Sequence, residues 1–82
     1  MVDVIYSDRF KRILSKIKDN ALKERIAKQV AKIIDSPEIG KPMSYNRKGT
    51  RELYVSPFRL SYAFIRHENI IYFLNLYHKD EQ

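Results

Sequence analysis

Two hydrophobic periods divide this 82-residue chain, and the switch between them limits its fold more than any other feature. Phe10, Ile13, Leu14 and Ile17 recur at i, i+3, i+4 and i+7, the spacing that lines one face of a helix. Leu22, Ile26, Val30, Ile33 and Ile34 make a second apolar stripe, with Ala27 and Ala31 as small neighbours. In the last third of the chain the period becomes two. Phe58, Leu60, Tyr62 and Phe64 alternate with Arg59, Ser61, Ala63 and Ile65, so the two sets point to opposite faces of a strand.

The punctuation between these stretches sets the element order. Residues 2–6 are rich in β-branched side chains and read as a strand. Ser7 or Asp8 offers a cap for the first helix, and Asp19-Asn20 breaks the pattern and caps a second. Ser36-Pro37 stops that helix, because proline disfavours helical geometry in the residue before it. Residues 38–50 hold both glycines and read as a loop or irregular strand. Strands follow at residues 52–55, 58–66 and 70–76, separated by turns at Ser56-Pro57 and at residues 67–69. There are no repeats and no composition break, so residues 1–82 read as one small α+β domain of order β-α-α-β-β-β. Two amphipathic helices form a hairpin with one apolar side, and a mainly antiparallel sheet is the cover available to it. That sheet keeps one face free of helices, and Arg59 belongs to the free face.

Composition narrows the function classes. Cysteine is absent, which excludes disulfides and thiolate metal sites. No apolar run approaches the length of a membrane span and no signal peptide is legible, so a cytoplasmic protein with no membrane partner is expected. The net charge is +6, and residues 41–66 carry six basic side chains against one acidic. Such a patch points to a polyanion, usually nucleic acid; an acidic protein would use the same surface.

The candidate chemistry lies in the last two strands. Arg59 is a charge inside an apolar run, and Tyr77-His78-Lys79 ends the next run. The arginine fork suits a phosphate, and a histidine suits proton transfer near neutral pH. RNA cleavage needs a group that takes the 2′-hydroxyl proton, another that protonates the leaving oxygen, and a cation for the transition state. His78 is the acid or base in this reading, with Arg59 or Lys79 as the cation. Arg47, Lys48 and Arg51 would grip an RNA backbone, and Tyr54 and Tyr77 would stack on bases. The competing structural readings are an Arg59 paired with Glu52 or Glu68, a His78 that only closes a strand, and a solvated basic loop. No phosphate-cradling glycine loop, metal-ligand spacing or acidic cluster is present, so any catalysis is expected to be metal-free and to need no cofactor.

The ordered set of Ser36-Pro37-Glu38-Ile39-Gly40-Lys41-Pro42, Phe58-Arg59-Leu60-Ser61-Tyr62 and Leu76-Tyr77-His78-Lys79 resembles the RelE/ParE toxin superfamily over essentially the whole chain, and its RelE and YoeB branch most nearly. The resemblance implies a small basic toxin of a type II toxin–antitoxin system, an endoribonuclease that cuts messenger RNA on the ribosome and so inhibits translation. It also implies a cognate RelB-like antitoxin, acidic and partly helical. Carried over by position, Arg59 matches the arginine that contacts the scissile phosphate, and His78 matches the catalytic histidine of the YoeB-like pattern. Lys79 falls where that branch has tyrosine and RelE-like members have arginine. Arg51 heads the strand on which RelE carries catalytic lysines, and on that strand this chain has Glu52 and Tyr54 instead. The general-base glutamate of YoeB has no counterpart near Met43, which leaves His78 or Glu52 for that role, or else a weak nuclease. ParE-like members use the same fold to poison DNA gyrase, so a non-catalytic module that binds gyrase, or only its antitoxin, is the alternative.

Overall fold

The computed structural model describes residues 1–44 and 49–81. The chain runs through β1 (Asp3–Tyr6), α1 (Asp8–Lys16), α2 (Asn20–Asp35), β2 (Lys41–Pro42), β3 (Arg51–Val55), β4 (Phe58–Ile65) and β5 (Ile70–His78), and ends in a 3-10 turn (Lys79–Glu81). The sheet order is β1-β5-β4-β3-β2. Among the described strands, β1 pairs with β5 in parallel and the other pairs are antiparallel. The expected α+β architecture is present, with one addition: the glycine-bearing connection contains the two-residue strand β2, paired through Lys41 with Glu52 and through Pro42 with Arg51.

The helix boundaries follow from local chemistry. The Ser7 hydroxyl accepts the Phe10 amide at the start of α1, and the Asp19 carboxylate accepts the Ala21 and Leu22 amides at the start of α2. Each cap satisfies amides that have no partner within the helix. α1 packs on β5 and α2 on β3. Phe10, Leu22, Ile26 and Ile33 meet Val55, Leu60, Tyr62, Ile71, Phe73 and Leu76 in one buried cluster. Each such side chain is worth about 1.5–3 kcal/mol when fully buried, so this single helix–sheet interface carries most of the apolar stabilisation.

A polar knot fixes the segment that leaves α2. The fully buried Tyr62 donates its hydroxyl to the Pro37 carbonyl at 2.7 Å and accepts the Gly40 amide at 2.8 Å. A Cβ at Gly40 would lie 2.7 Å from the Tyr62 ring and hydroxyl, so only glycine lets the backbone come this near. Arg51 reaches over the same segment and donates to the Glu38 and Gly40 carbonyls. Burial pushes the Tyr62 phenol above its ordinary value, opposed in part by the Gly40 amide and the Arg51 charge.

One irregularity decides which side chains share a face. In β4–β5 the pairing passes from Ser61 with Asn75 to Tyr62 with Phe73, so Leu74 is an extra residue in β5. Ile71 and Phe73 face the helices before the bulge, and Leu76 does so after it. Odd-numbered residues therefore line the core on one side of Leu74 and even-numbered residues on the other. The Ser7 hydroxyl donates to the Leu74 carbonyl at 2.8 Å, so the cap of α1 also holds the bulge.

Candidate functional site

The helix-free face of the sheet carries a polar cluster at one end. Alternation along β3 puts Leu53 and Val55 on the helix side and Glu52 and Tyr54 on the other. Register then sets Tyr54 beside Arg59, Arg59 beside Tyr77, Glu52 beside Ser61 and Ser61 beside Asn75. The Arg59 guanidinium carbon sits 5.7 Å from the centre of the Tyr54 ring, a cation–π arrangement, and Tyr54 is itself exposed. Arg59 Nε is shielded from water and has no hydrogen-bond partner among the described residues. A donor left in that state costs about 1–3 kcal/mol until an acceptor arrives.

Beside Arg59 lies a short hydrogen bond that spans the central strand. Tyr77 on β5 donates its hydroxyl to Glu52 Oε2 on β3 at 2.5 Å. Glu52 is only 6% exposed and is the buried charged residue among the described ones. The Tyr77 phenol therefore ties β5 to β3 across β4.

The other candidates fall elsewhere. His78 pairs with Phe58 across β4–β5, and their rings meet edge to face with centroids 5.7 Å apart. That places His78 on the helix side of the sheet, not beside Arg59. The reason is the extra residue at Leu74: without it, His78 and not Tyr77 would share the Arg59 face. His78 Nδ1 accepts the Asp80 amide and lies 3.5 Å from the Asp80 carboxylate. Lys79 is exposed in the terminal turn, and its amide bonds to the Pro57 carbonyl. Arg51 also lies on the helix side, where it ties down residues 38–40, and its guanidinium is 3.9 Å from the Glu38 carboxylate. Arg47 and Lys48 lie outside the described residues. The structure thus brings together Arg59, Tyr54, Tyr77 and Glu52, and separates them from His78 and Arg51. The apolar spacing of β5 carries the signal for this change, since Ile71, Phe73 and Leu76 cannot lie on one face of an unbroken strand.

The model for the ParE toxin of type II toxin–antitoxin systems, parDE, matches residues 4–82. The chain belongs to the ParE toxin family. As a ParE-family toxin it also shares its fold with a wider group of solved structures. It is similar to a chain of the intact E. coli RelBE toxin–antitoxin complex, with 16% identity, a TM-score of 0.78, and 95% of this chain and 96% of that chain covered. It resembles a chain of the RelBE2 complex of Mycobacterium tuberculosis, with 20% identity, a TM-score of 0.80, and 95% and 98% covered. It also resembles the YoeB/ParE toxin of Agrobacterium tumefaciens, with 11% identity, a TM-score of 0.83, and 94% and 98% covered. No curated protein matches the sequence of this ParE-family toxin.

A second surface lies on the opposite side of this toxin. A groove of about 410 Å³ runs between the helices, with Tyr6, Phe10, Leu14, Ile26, Ala27 and Val30 as lining and Lys11 and Lys23 also bordering it. No described helix is long and apolar enough to cross a membrane.

Proposed function

We propose that this toxin cleaves messenger RNA on the ribosome without a metal ion, with Arg59 as the group that holds the scissile phosphate. The observation that carries the reading is the state of Arg59: a permanently charged fork on the helix-free face, stacked on Tyr54, with a donor nitrogen that has no partner among the described residues. A phosphate oxygen would satisfy that donor, and the guanidinium would offset charge as the phosphorane-like transition state forms. Tyr54 offers an exposed ring on which a base can stack. Arg47 and Lys48 would extend the grip along the RNA backbone. His78 and Lys79 remain candidates only for contacts at the sheet end, because His78 lies on the other face.

The cognate antitoxin is the second partner. An acidic, partly helical segment fits the groove between α1 and α2, where apolar side chains meet Lys11 and Lys23.

Primer extension on a translated message, with and without ribosomes, tests the nuclease reading. Cuts that depend on ribosomes and on Arg59 are expected. A second reading is favoured by the matching family model, whose description is that of a parDE toxin: gyrase inhibition with no RNA cuts. A supercoiling assay with purified gyrase separates the two.

A further inference from the structure

Resting on the RNA-cleaving reading above, we infer that the proton acceptor of the reaction is the Tyr77–Glu52 pair, with the Tyr77 hydroxyl touching the substrate and Glu52 acting through it. Three observations lead to this pair. Glu52 is buried on a sheet face that no helix covers, although a carboxylate in that position is costly unless its hydrogen bonds are met. The phenol-to-carboxylate distance of 2.5 Å is at the short end for a charge-assisted bond. The bulge at Leu74 rotates Tyr77, in place of His78, onto the Arg59 face, and register makes Tyr77 the direct cross-strand neighbour of Arg59.

The step balances without any other reactant. The 2′-hydroxyl beside the scissile phosphate gives its proton to Tyr77 Oη while Tyr77 passes its own to Glu52 Oε2. The 2′-oxygen then bonds to phosphorus, with Arg59 holding the non-bridging oxygens. The bond from phosphorus to the 5′-oxygen breaks, and that oxygen takes a proton from water. The hydroxide left behind is neutralised by the proton stored on Glu52, which returns through Tyr77. The products are a 2′,3′-cyclic phosphate and a 5′-hydroxyl. Glu52 is too withdrawn to meet the substrate itself, and the phenol supplies the reach.

Single-turnover cleavage of a ribosome-bound message by wild type, Glu52→Gln and Tyr77→Phe tests the pair. Each substitution should slow cleavage by about 10²- to 10⁴-fold, and the double variant should be no slower than either single one, since two groups on one proton path act as a unit. The pH profile of cleavage should differ between the wild type and Glu52→Gln, since only the wild type carries an ionisable group at that position. Among the described residues, the other titratable and charged groups on that face beside the pair are Lys41 from β2, Tyr54 from β3 and Arg59 from β4. A pair that merely staples the strands would change melting temperature without moving the pH profile. Glu52→Gln keeps the shape of the side chain; should it fail to fold, Tyr77→Phe decides alone. Wild-type rates and an unchanged profile in both variants overturn the relay and leave the nuclease reading standing. A wild type that makes no ribosome-dependent cuts overturns both.

Discussion

Arg59 and Gly40 show two ways in which a single residue is fixed by what it touches. Arg59 tolerates an unmet donor because its stem lies in the sheet and its ring neighbour Tyr54 stabilises the charge. Gly40 tolerates no side chain at all. Gly40→Ala should lower stability by about 1–3 kcal/mol, because the new methyl group overlaps a fully buried Tyr62 that cannot retreat. Urea denaturation measures this directly, and a loss below about 0.5 kcal/mol would mean that the segment shifts freely. Tyr62 adds a pH signature. Its folded-state phenol titrates above the ordinary value of 10.0, so the folded chain keeps a proton that the unfolded chain has lost. Stability from this source is complete below about pH 10 and declines as pH rises through the folded value. Melting temperatures between pH 9 and 11 should fall in the wild type, and this part of the fall should be missing in Tyr62→Phe. That variant should also be weaker at neutral pH, since the Pro37 carbonyl and Gly40 amide lose their partner.

At the scale of elements, Ser7 does two tasks with one hydroxyl. It accepts the Phe10 amide to begin α1, and it donates to the Leu74 carbonyl at the bulge. Ser7→Ala should cost about 1–2 kcal/mol by thermal or chemical denaturation, near the upper end for a helix cap, because the bulge carbonyl is released at the same time. This pairing also explains what could be read from the chain alone. Both helices were legible because their stripes and caps are local: Ser7, Asp19 and Ser36-Pro37 act within a few residues of themselves. The faces of β4 were legible for the same reason, and Arg59 was correctly placed away from the helices. The face of His78 was not, since it depends on one extra residue at Leu74 whose register is set by a partner 67 positions away. Strict alternation from Ile70 would have hidden Tyr77 and exposed His78. The role of Arg51 was out of reach too, because its carbonyl partners at Glu38 and Gly40 come together only through the buried Tyr62. The pairing of Glu52 with Tyr77 crosses a whole strand, and no spacing rule reports it.

At the scale of the molecule, the sheet separates two surfaces of different chemistry. The helix side presents an apolar groove bordered by Lys11 and Lys23, and the other side presents Arg59 with its aromatic and acidic neighbours. A partner in the groove need not touch the Arg59 face, so the two surfaces can be impaired independently. Replacing Lys11 and Lys23 together by glutamate should weaken binding of an acidic antitoxin by about tenfold or more at low salt, with a smaller loss at high salt as screening reduces the attraction. Titration calorimetry at two salt concentrations measures it; equal losses at both would place the contact elsewhere. RNA cleavage by the same double variant should be unchanged. The most direct check on the RNA-cleaving reading compares primer extension on a translated message exposed to wild type and to Arg59→Ala. Ribosome-dependent cuts should appear with the wild type and vanish with the variant while its melting temperature stays close to that of the wild type. Cuts that persist undiminished in Arg59→Ala, or their absence with a folded wild type, would contradict it.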